Sequence, residues 1–173
     1  MTELFLDEVA SPLGPIVIAW HGDALRALYF LDRRDRMLSF FRGRFGEFDL
    51  REKRHRDFRA RIARYFEGEF NAFDGAALDP GGTPFQKRVW DALLEIPPGQ
   101  TATYGGIAER IGSPAACRAV GLANGLNPIS IVIPCHRVVG SNGKLTGYGG
   151  GLDRKQWLLQ HEGASSRQSG LKF

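Results

Sequence analysis

The chain has 173 residues, of which 43% are apolar and 24% charged, enough to bury one sizeable core or two small ones. No run approaches the ~20 apolar residues that a membrane span requires. The acidic start Met1-Thr2-Glu3-Leu4-Phe5-Leu6-Asp7-Glu8 is unlike a secretory signal, so no membrane contact and a cytoplasmic location are expected. The net charge of +4 is uneven: residues 1–80 carry 13 Lys/Arg against 14 Asp/Glu, and residues 81–173 carry 10 against 5. The C-terminal half is therefore the one suited to a polyanion, although many proteins are mildly basic. The two cysteines, Cys117 and Cys135, sit in no CxxC pair or His cluster. Zinc, a disulfide and any other metal or cofactor are accordingly not expected.

The first third reads as strands: Leu4-Phe5-Leu6, Ile16 to Trp20 and Leu25 to Phe30, parted by the turn sequences Ser11 to Pro15 and His21 to Ala24. An antiparallel meander is the simplest arrangement. Residues 32–54, rich in Arg, Phe and Gly, give no clear assignment. Phe58, Ile62, Tyr65 and Phe66 recur at helical spacing between Asp57 and Phe66, and Gly68 ends that helix. The arginines from Arg51 to Arg64 fit a solvated face better than a DNA contact.

Asp79-Pro80-Gly81-Gly82 reads as a linker between domains at 1–80 and 81–173. Thr83 and Pro84 cap and open a helix through about Glu95, closed by Pro97-Pro98-Gly99. A second helix starts at Thr103 and runs to about Ile111. After the turn Gly112-Ser113-Pro114, a third runs from Ala115 to about Leu126. Helix, short turn, helix is the helix-turn-helix pattern. The third helix is nearly without bulk, with Ala115, Ala116, Ala119, Gly121, Ala123 and Gly125, and Arg118 is its one charged residue. Either close helix packing or close approach to a nucleic-acid backbone accounts for that composition. Ile129 to Ile133 reads as a short buried strand and 140–151 as a glycine-rich loop. A last helix spans about Asp153 to Glu162, with Trp157, Leu158 and Leu159 inward, before a loose tail over 163–173.

Chemistry concentrates at Pro134-Cys135-His136-Arg137. Thiolate is the reactive form of cysteine, and an adjoining imidazole and guanidinium both favour it. A core cysteine would have apolar neighbours on both sides, and this one has them on one side only. Taken alone, the Cys-His pair leaves a structural and a nucleophilic role about equally open.

The run Asn127-Pro128-Ile129-Ser130-Ile131-Val132-Ile133-Pro134-Cys135-His136-Arg137-Val138-Val139 closely resembles the signature of the O6-alkylguanine-DNA alkyltransferases. The resemblance extends through Phe85 to Trp90, Thr103 to Ala108, Leu145 to Gly151 and Lys155 to Leu159. It implies an RNase H-like α/β N-terminal domain of antiparallel strands plus helix, then a mainly helical C-terminal domain with a winged helix-turn-helix. It implies a monomer that binds the minor groove of double-stranded DNA containing alkylated guanine and flips the base out, with cooperativity on DNA left open. Cys135 would take the alkyl group from guanine O6 in one irreversible displacement. His136 would act as base through a water and Glu162 would orient it, although Glu162 alone would read as a surface carboxylate at a helix end. Tyr104 would protonate guanine N3 as it leaves, and Arg118 would fill the gap in the base stack. Thr103, Ala119 and Ala123 would join Arg118 on the DNA face. Asn127 would act as a hinge, and Val138, Tyr148, Gly149 and Arg137 would belong to the substrate pocket. Gly149 stands where relatives often carry Ser, which implies a lost hydroxyl contact and a roomier pocket. Cys117 reads as a packing residue.

Three other readings stand behind alkyl transfer. A non-catalytic alkylated-DNA-binding protein of the same fold would lack the cysteine. A cysteine hydrolase would need Cys135 and His136, adjacent in the chain, to turn the same way. A plain winged-helix regulator would have no use for Pro-Cys-His-Arg.

Overall fold

The computed structural model describes residues 1–164, so the expected tail lies outside the described residues from residue 165 on. The chain divides into two compact units, Met1–Gly81 and Gly82–Phe173. The first is α/β and the second mainly helical.

The first unit is built on a four-stranded sheet ordered β3-β2-β1-β4, with β1 Thr2–Val9, β2 Ile16–His21, β3 Ala24–Phe30 and β4 Phe48–Glu52. The three apolar runs form the expected antiparallel meander, in which Leu6 faces Ala19 and Ile18 faces Leu28. The sheet is nevertheless mixed, because β4 pairs parallel to β1 with Leu4 opposite Leu50. That strand and α1 (Arg34–Phe45) arise from the stretch the sequence left unassigned. A parallel neighbour needs a crossover connection, and α1 provides it between β3 and β4. Met37 and Phe41 of α1 pack on Leu4, Leu6, Val17, Ala19 and Ala27. Residues Ile16 to Trp20 of β2 are all buried, which is why they read as a continuous apolar run and not as an alternation.

The helix α2 (Arg56–Phe66) buries Phe58, Ile62 and Tyr65. Two of its arginines are engaged within the unit: Arg59 pairs with Asp7 at 2.8 Å and Arg61 with Asp57 at 2.9 Å. Arg51 likewise pairs with Glu3 and Asp49.

In the second unit α3 spans Pro84–Leu94, opened by a reciprocal capping box between Thr83 and Gln86. Next come β5 (Ala102–Thr103), α4 (Tyr104–Arg110) capped by Thr103, and α5 (Cys117–Gly125). A 3-10 turn, Cys135–Arg137, leads into β6 (Val138–Val139), which pairs parallel with β5. The last helix, α6, is Leu152–His161. Leu158 and Leu159 point inward as expected, while Trp157 is half-buried and stacks on His161. No helix among the described residues is long and apolar enough to cross a membrane.

Residues 129–133 are buried but do not form the expected strand. Their backbone bonds locally instead: Ile133 N donates to Ile129 O at 3.0 Å and Val132 N to Ser130 O at 2.8 Å. The Asn127 side chain takes up more of that backbone, accepting from Ile129 N at 3.0 Å and donating to Ile133 O at 2.8 Å. A side chain that satisfies backbone groups in this way competes directly with a sheet ladder. The tight path forces Ile131 to φ 71°, a left-handed value that a β-branched residue adopts only under strain.

Candidate active site around Cys135

The compact 127–134 segment delivers Pro134, and the chain then makes one 3-10 turn through Cys135, His136 and Arg137. All three side chains are buried, with Cys135 4% and His136 0% exposed. The tight turn, unlike a strand, imposes no alternation on neighbouring side chains.

Glu162, just past the end of α6, anchors this turn. Its carboxylate oxygens lie 3.1 Å from His136 Nε2, and they accept from Arg137 Nε and Nη2 at 2.8 Å each. Arg137 also donates from Nη1 to Ile96 O at 2.6 Å. The helix is held in place by Leu159, which packs with Val139, Ala164 and Leu145. Gly99, at φ +83°, brings its backbone so close to Glu162 O that a Cβ there would sit at 2.9 Å. Glu162 is thus a buried carboxylate and not a surface one.

Charge follows from these partners. Burial alone would raise the Glu162 carboxyl, but His136 and Arg137 outweigh it and hold the group well below the usual carboxylate range. Burial lowers His136 despite the facing carboxylate, so its imidazole is neutral at physiological pH. Because Nε2 is turned to Glu162, Nδ1 is the nitrogen left with a lone pair, and it is buried without a hydrogen-bond partner among the described residues. Burial also pushes the Cys135 thiol up, opposed by a hydrogen bond from Asn127 and by the charge of Lys155.

These facts revise three expectations. The Arg137 guanidinium is committed to Glu162 and Ile96, so it balances the buried carboxylate and is not the group that favours the thiolate. Ala123 is 2% exposed and its carbonyl accepts from Trp90 Nε1 at 2.9 Å, so it belongs to the packed side of α5 and not to a DNA face. Cys117 is exposed at the start of α5 and so is not a packing residue.

The remaining residues fall as follows. Arg118 and Ala119 are exposed on α5, whereas Val120 and Asn124 face inward with Ala123. Gly121 brings its backbone against Tyr104, whose ring would lie 3.8 Å from an added Cβ. The Tyr104 hydroxyl accepts from Thr146 Oγ1 at 3.1 Å, and burial raises its pKa, so it holds its proton at neutral pH. Thr103 uses its hydroxyl to cap α4, accepting from Gly106 N at 3.0 Å. Val138 is fully buried in β6 opposite Ala102. Tyr148 is half-buried, with its hydroxyl near Ser130 and its ring edge-on to His136 at 6.5 Å, and Gly149 follows it.

Residues 84–164 match the family described as 6-O-methylguanine DNA methyltransferase, DNA binding domain. Over 167 residues the chain is 46% identical to the methylated-DNA–protein-cysteine methyltransferase of Salmonella typhimurium, covering 94% of this chain and 98% of that one. The chain belongs to the methylated-DNA–protein-cysteine methyltransferase family. The crystal structure of Mycobacterium tuberculosis O6-methylguanine methyltransferase has the same fold, with TM-score 0.79 and 45% identity over 95% of this chain and 94% of that one. A structure of Mycobacterium tuberculosis OGT in complex with DNA superposes with TM-score 0.80 at 45% identity, covering 94% and 93% of the two chains.

Two residues of this family member escaped the sequence reading. Asn124, buried in α5, donates to Cys135 O at 3.4 Å. Lys155, on α6, is fully buried and reaches the backbone of the 146–147 loop. The only available signal was the position of Lys155 between inward-facing turns of α6, and a lysine there ordinarily curls out to solvent.

Proposed function

We propose that this chain repairs alkylated DNA by moving the alkyl group from guanine O6 to Cys135 Sγ, once per molecule. The observation that carries this reading is the buried Cys135–His136 turn fixed by Glu162 at 3.1 Å, with His136 Nδ1 left free to accept a proton. A neutral imidazole so oriented is a general base, and the buried carboxylate stabilises the imidazolium that forms.

Such a base is necessary because burial favours the thiol over the thiolate. The thiol proton passes through a water to His136 Nδ1, and the sulfur electron pair attacks the alkyl carbon. The C–S bond forms as the C–O6 bond breaks, and the departing guanine takes a proton at N3 from the Tyr104 hydroxyl. The product thioether has no second cysteine placed to resolve it, so the protein is consumed.

We read the first unit as RNase H-like, and α4 and α5, joined through Gly112-Ser113-Pro114, as the helix-turn-helix of a winged fold. The partner is duplex DNA containing alkylated guanine. The exposed face of α5 enters the minor groove, Ala119 allows close approach, and Arg118 takes the place of the extruded base. Asn127 is the hinge beneath Cys135. Val138, Tyr148 and Gly149 line the base pocket, where glycine in place of serine gives room for longer alkyl groups. The protein acts as a monomer.

Intact-protein mass spectrometry after incubation with duplex DNA holding one O6-methylguanine tests the whole reading. Wild type gains the mass of about one methylene and stops at one per molecule, while Cys135→Ser gains nothing. Tight lesion binding without any gain would instead identify a damage-binding protein of the same fold.

A further inference from the structure

The Tyr104 hydroxyl, assigned above to protonate guanine N3, is met on both sides by one residue of the glycine-rich loop. Thr146 Oγ1 donates to the Tyr104 oxygen at 3.1 Å, and that oxygen lies 3.4 Å from Thr146 O. The two contacts differ in strength. A bond between hydroxyl and oxygen is best at about 2.7–2.8 Å, so at the longer distance the tyrosine proton is held only weakly, while its oxygen keeps the better contact. A hydroxyl that accepts well and donates poorly has its proton available for a third group.

The turn before Thr146 places it for this contact. Gly140 N donates to Lys144 O at 2.9 Å, Gly143 N to Gly140 O at 2.8 Å, and Lys144 N to Asn142 Oδ1 at 3.1 Å. The Thr146 methyl lies over Gly140, where an added Cβ would meet it at 3.6 Å. A β-branched side chain has few χ1 choices, and with its methyl on that side the hydroxyl is left facing Tyr104. From α5, Gly121 brings its backbone against the Tyr104 ring, which would lie 3.8 Å from an added Cβ. The phenol is thus held by α5 at its ring and by the loop at its oxygen.

Negative charge develops on the phenol oxygen as its proton moves away. A donor already aimed at that oxygen gains strength at that moment, which is when a contact accelerates a reaction. Burial raises the Tyr104 pKa, and the Thr146 hydroxyl opposes the rise. Thr146 is exposed in the free protein, so water competes for this bond until DNA covers it.

We infer that Thr146 is a positioning residue of the alkyl transfer: its hydroxyl orients Tyr104 toward guanine N3 and stabilises the phenolate left when the proton has moved. This rests on the reading of Tyr104 as the proton donor. The Tyr104 O–H bond breaks, the guanine N3–H bond forms, and Thr146 keeps its own proton throughout.

The test is a double-mutant cycle on the single-turnover rate of mass gain at saturating duplex with one O6-methylguanine. It compares wild type, Thr146→Val, Tyr104→Phe and the two combined, with Thr146→Ser as the rescue. Lesion binding by each is measured in a Cys135→Ser background. Thr146→Val should slow transfer about tenfold while binding stays within about twofold, the loss expected for one hydrogen bond to an oxygen that becomes charged. Thr146→Ser should recover most of the rate. In the Tyr104→Phe background the same Thr146→Val change should cost less than about twofold. A duplex with 3-deaza-O6-methylguanine, which carries C–H in place of N3, asks the question from the substrate side, and there wild type and Thr146→Val should react at one slow rate. A Thr146→Val rate equal to wild type on O6-methylguanine would overturn the proposal. So would an undiminished loss in the Tyr104→Phe background or on the 3-deaza duplex, since either would mark a role in shaping the loop alone. Should Thr146→Val fail to fold, Thr146→Ala is carried through the same cycle. Tyr104→Phe as fast as wild type would instead refute the reading of Tyr104, and a wild type that gains no mass would refute Cys135 as acceptor.

Discussion

A single carboxylate determines the electrostatics of the site. Glu162 receives a two-pronged guanidinium and an imidazole in a region closed to water, where such contacts are strong but the loss of one partner is severe. Glu162→Gln leaves the buried Arg137 without its counter-charge and should cost about 3–5 kcal/mol in urea denaturation. Combining it with Arg137→Met should recover much of that stability, because the orphaned charge is removed together with its partner. The double variant should still transfer alkyl groups slowly, since His136 has lost the group that orients it. Equal stability losses in the single and double variants would show that the pair is not the source of the cost.

The helices of the second unit were legible because their ends carry explicit signals. Thr83-Pro84 opens α3 and Thr103 caps α4, each accepting a backbone N–H three residues on. Thr83→Ala should therefore lower stability by about 1 kcal/mol without altering alkyl transfer at saturating DNA, which thermal melting and the mass assay check together. The unassigned stretch 32–54 carried no such signal: α1 buries only Met37 and Phe41, and β4 is a polar edge strand with no fully buried residue. Residues 129–133 misled for a different reason. A short apolar run has the same composition in a strand and in a buried turn, and the choice was made by Asn127, whose amide occupies the backbone groups that a neighbouring strand would have used. At the site, Cys135, His136 and Glu162 could be named from the family signature. The commitment of Arg137 to Glu162 could not, because the resemblance pairs Glu162 with His136 alone and only the fold shows that Arg137 shares the same carboxylate.

The whole molecule should be sensitive to acid. His136 titrates below its ordinary 6.5 when folded, so between that lowered value and 6.5 the unfolded chain holds a proton that the native protein does not. Stability therefore falls as pH drops below about 6.5. Glu162 acts with the same sign from its ordinary 4.5 downward, because its folded value is lowered as well. Urea midpoints should decline from about pH 7.5 to about pH 5 and more steeply below that, and Glu162→Gln should lose the steeper part. A midpoint that stays flat across this range would contradict the buried neutral imidazole.

The 26 positions that separate His136 from Glu162 also set an order of events during synthesis. A nascent chain exposes its acceptor sulfur and α5 before the carboxylate that organises them has left the ribosome. Until α6 emerges and docks, His136 has no orienting partner and Arg137 no counter-charge. A protein that reacts only once is thereby kept from reacting early, and a chain truncated before residue 162 should retain the thiol while being inert toward alkylated guanine.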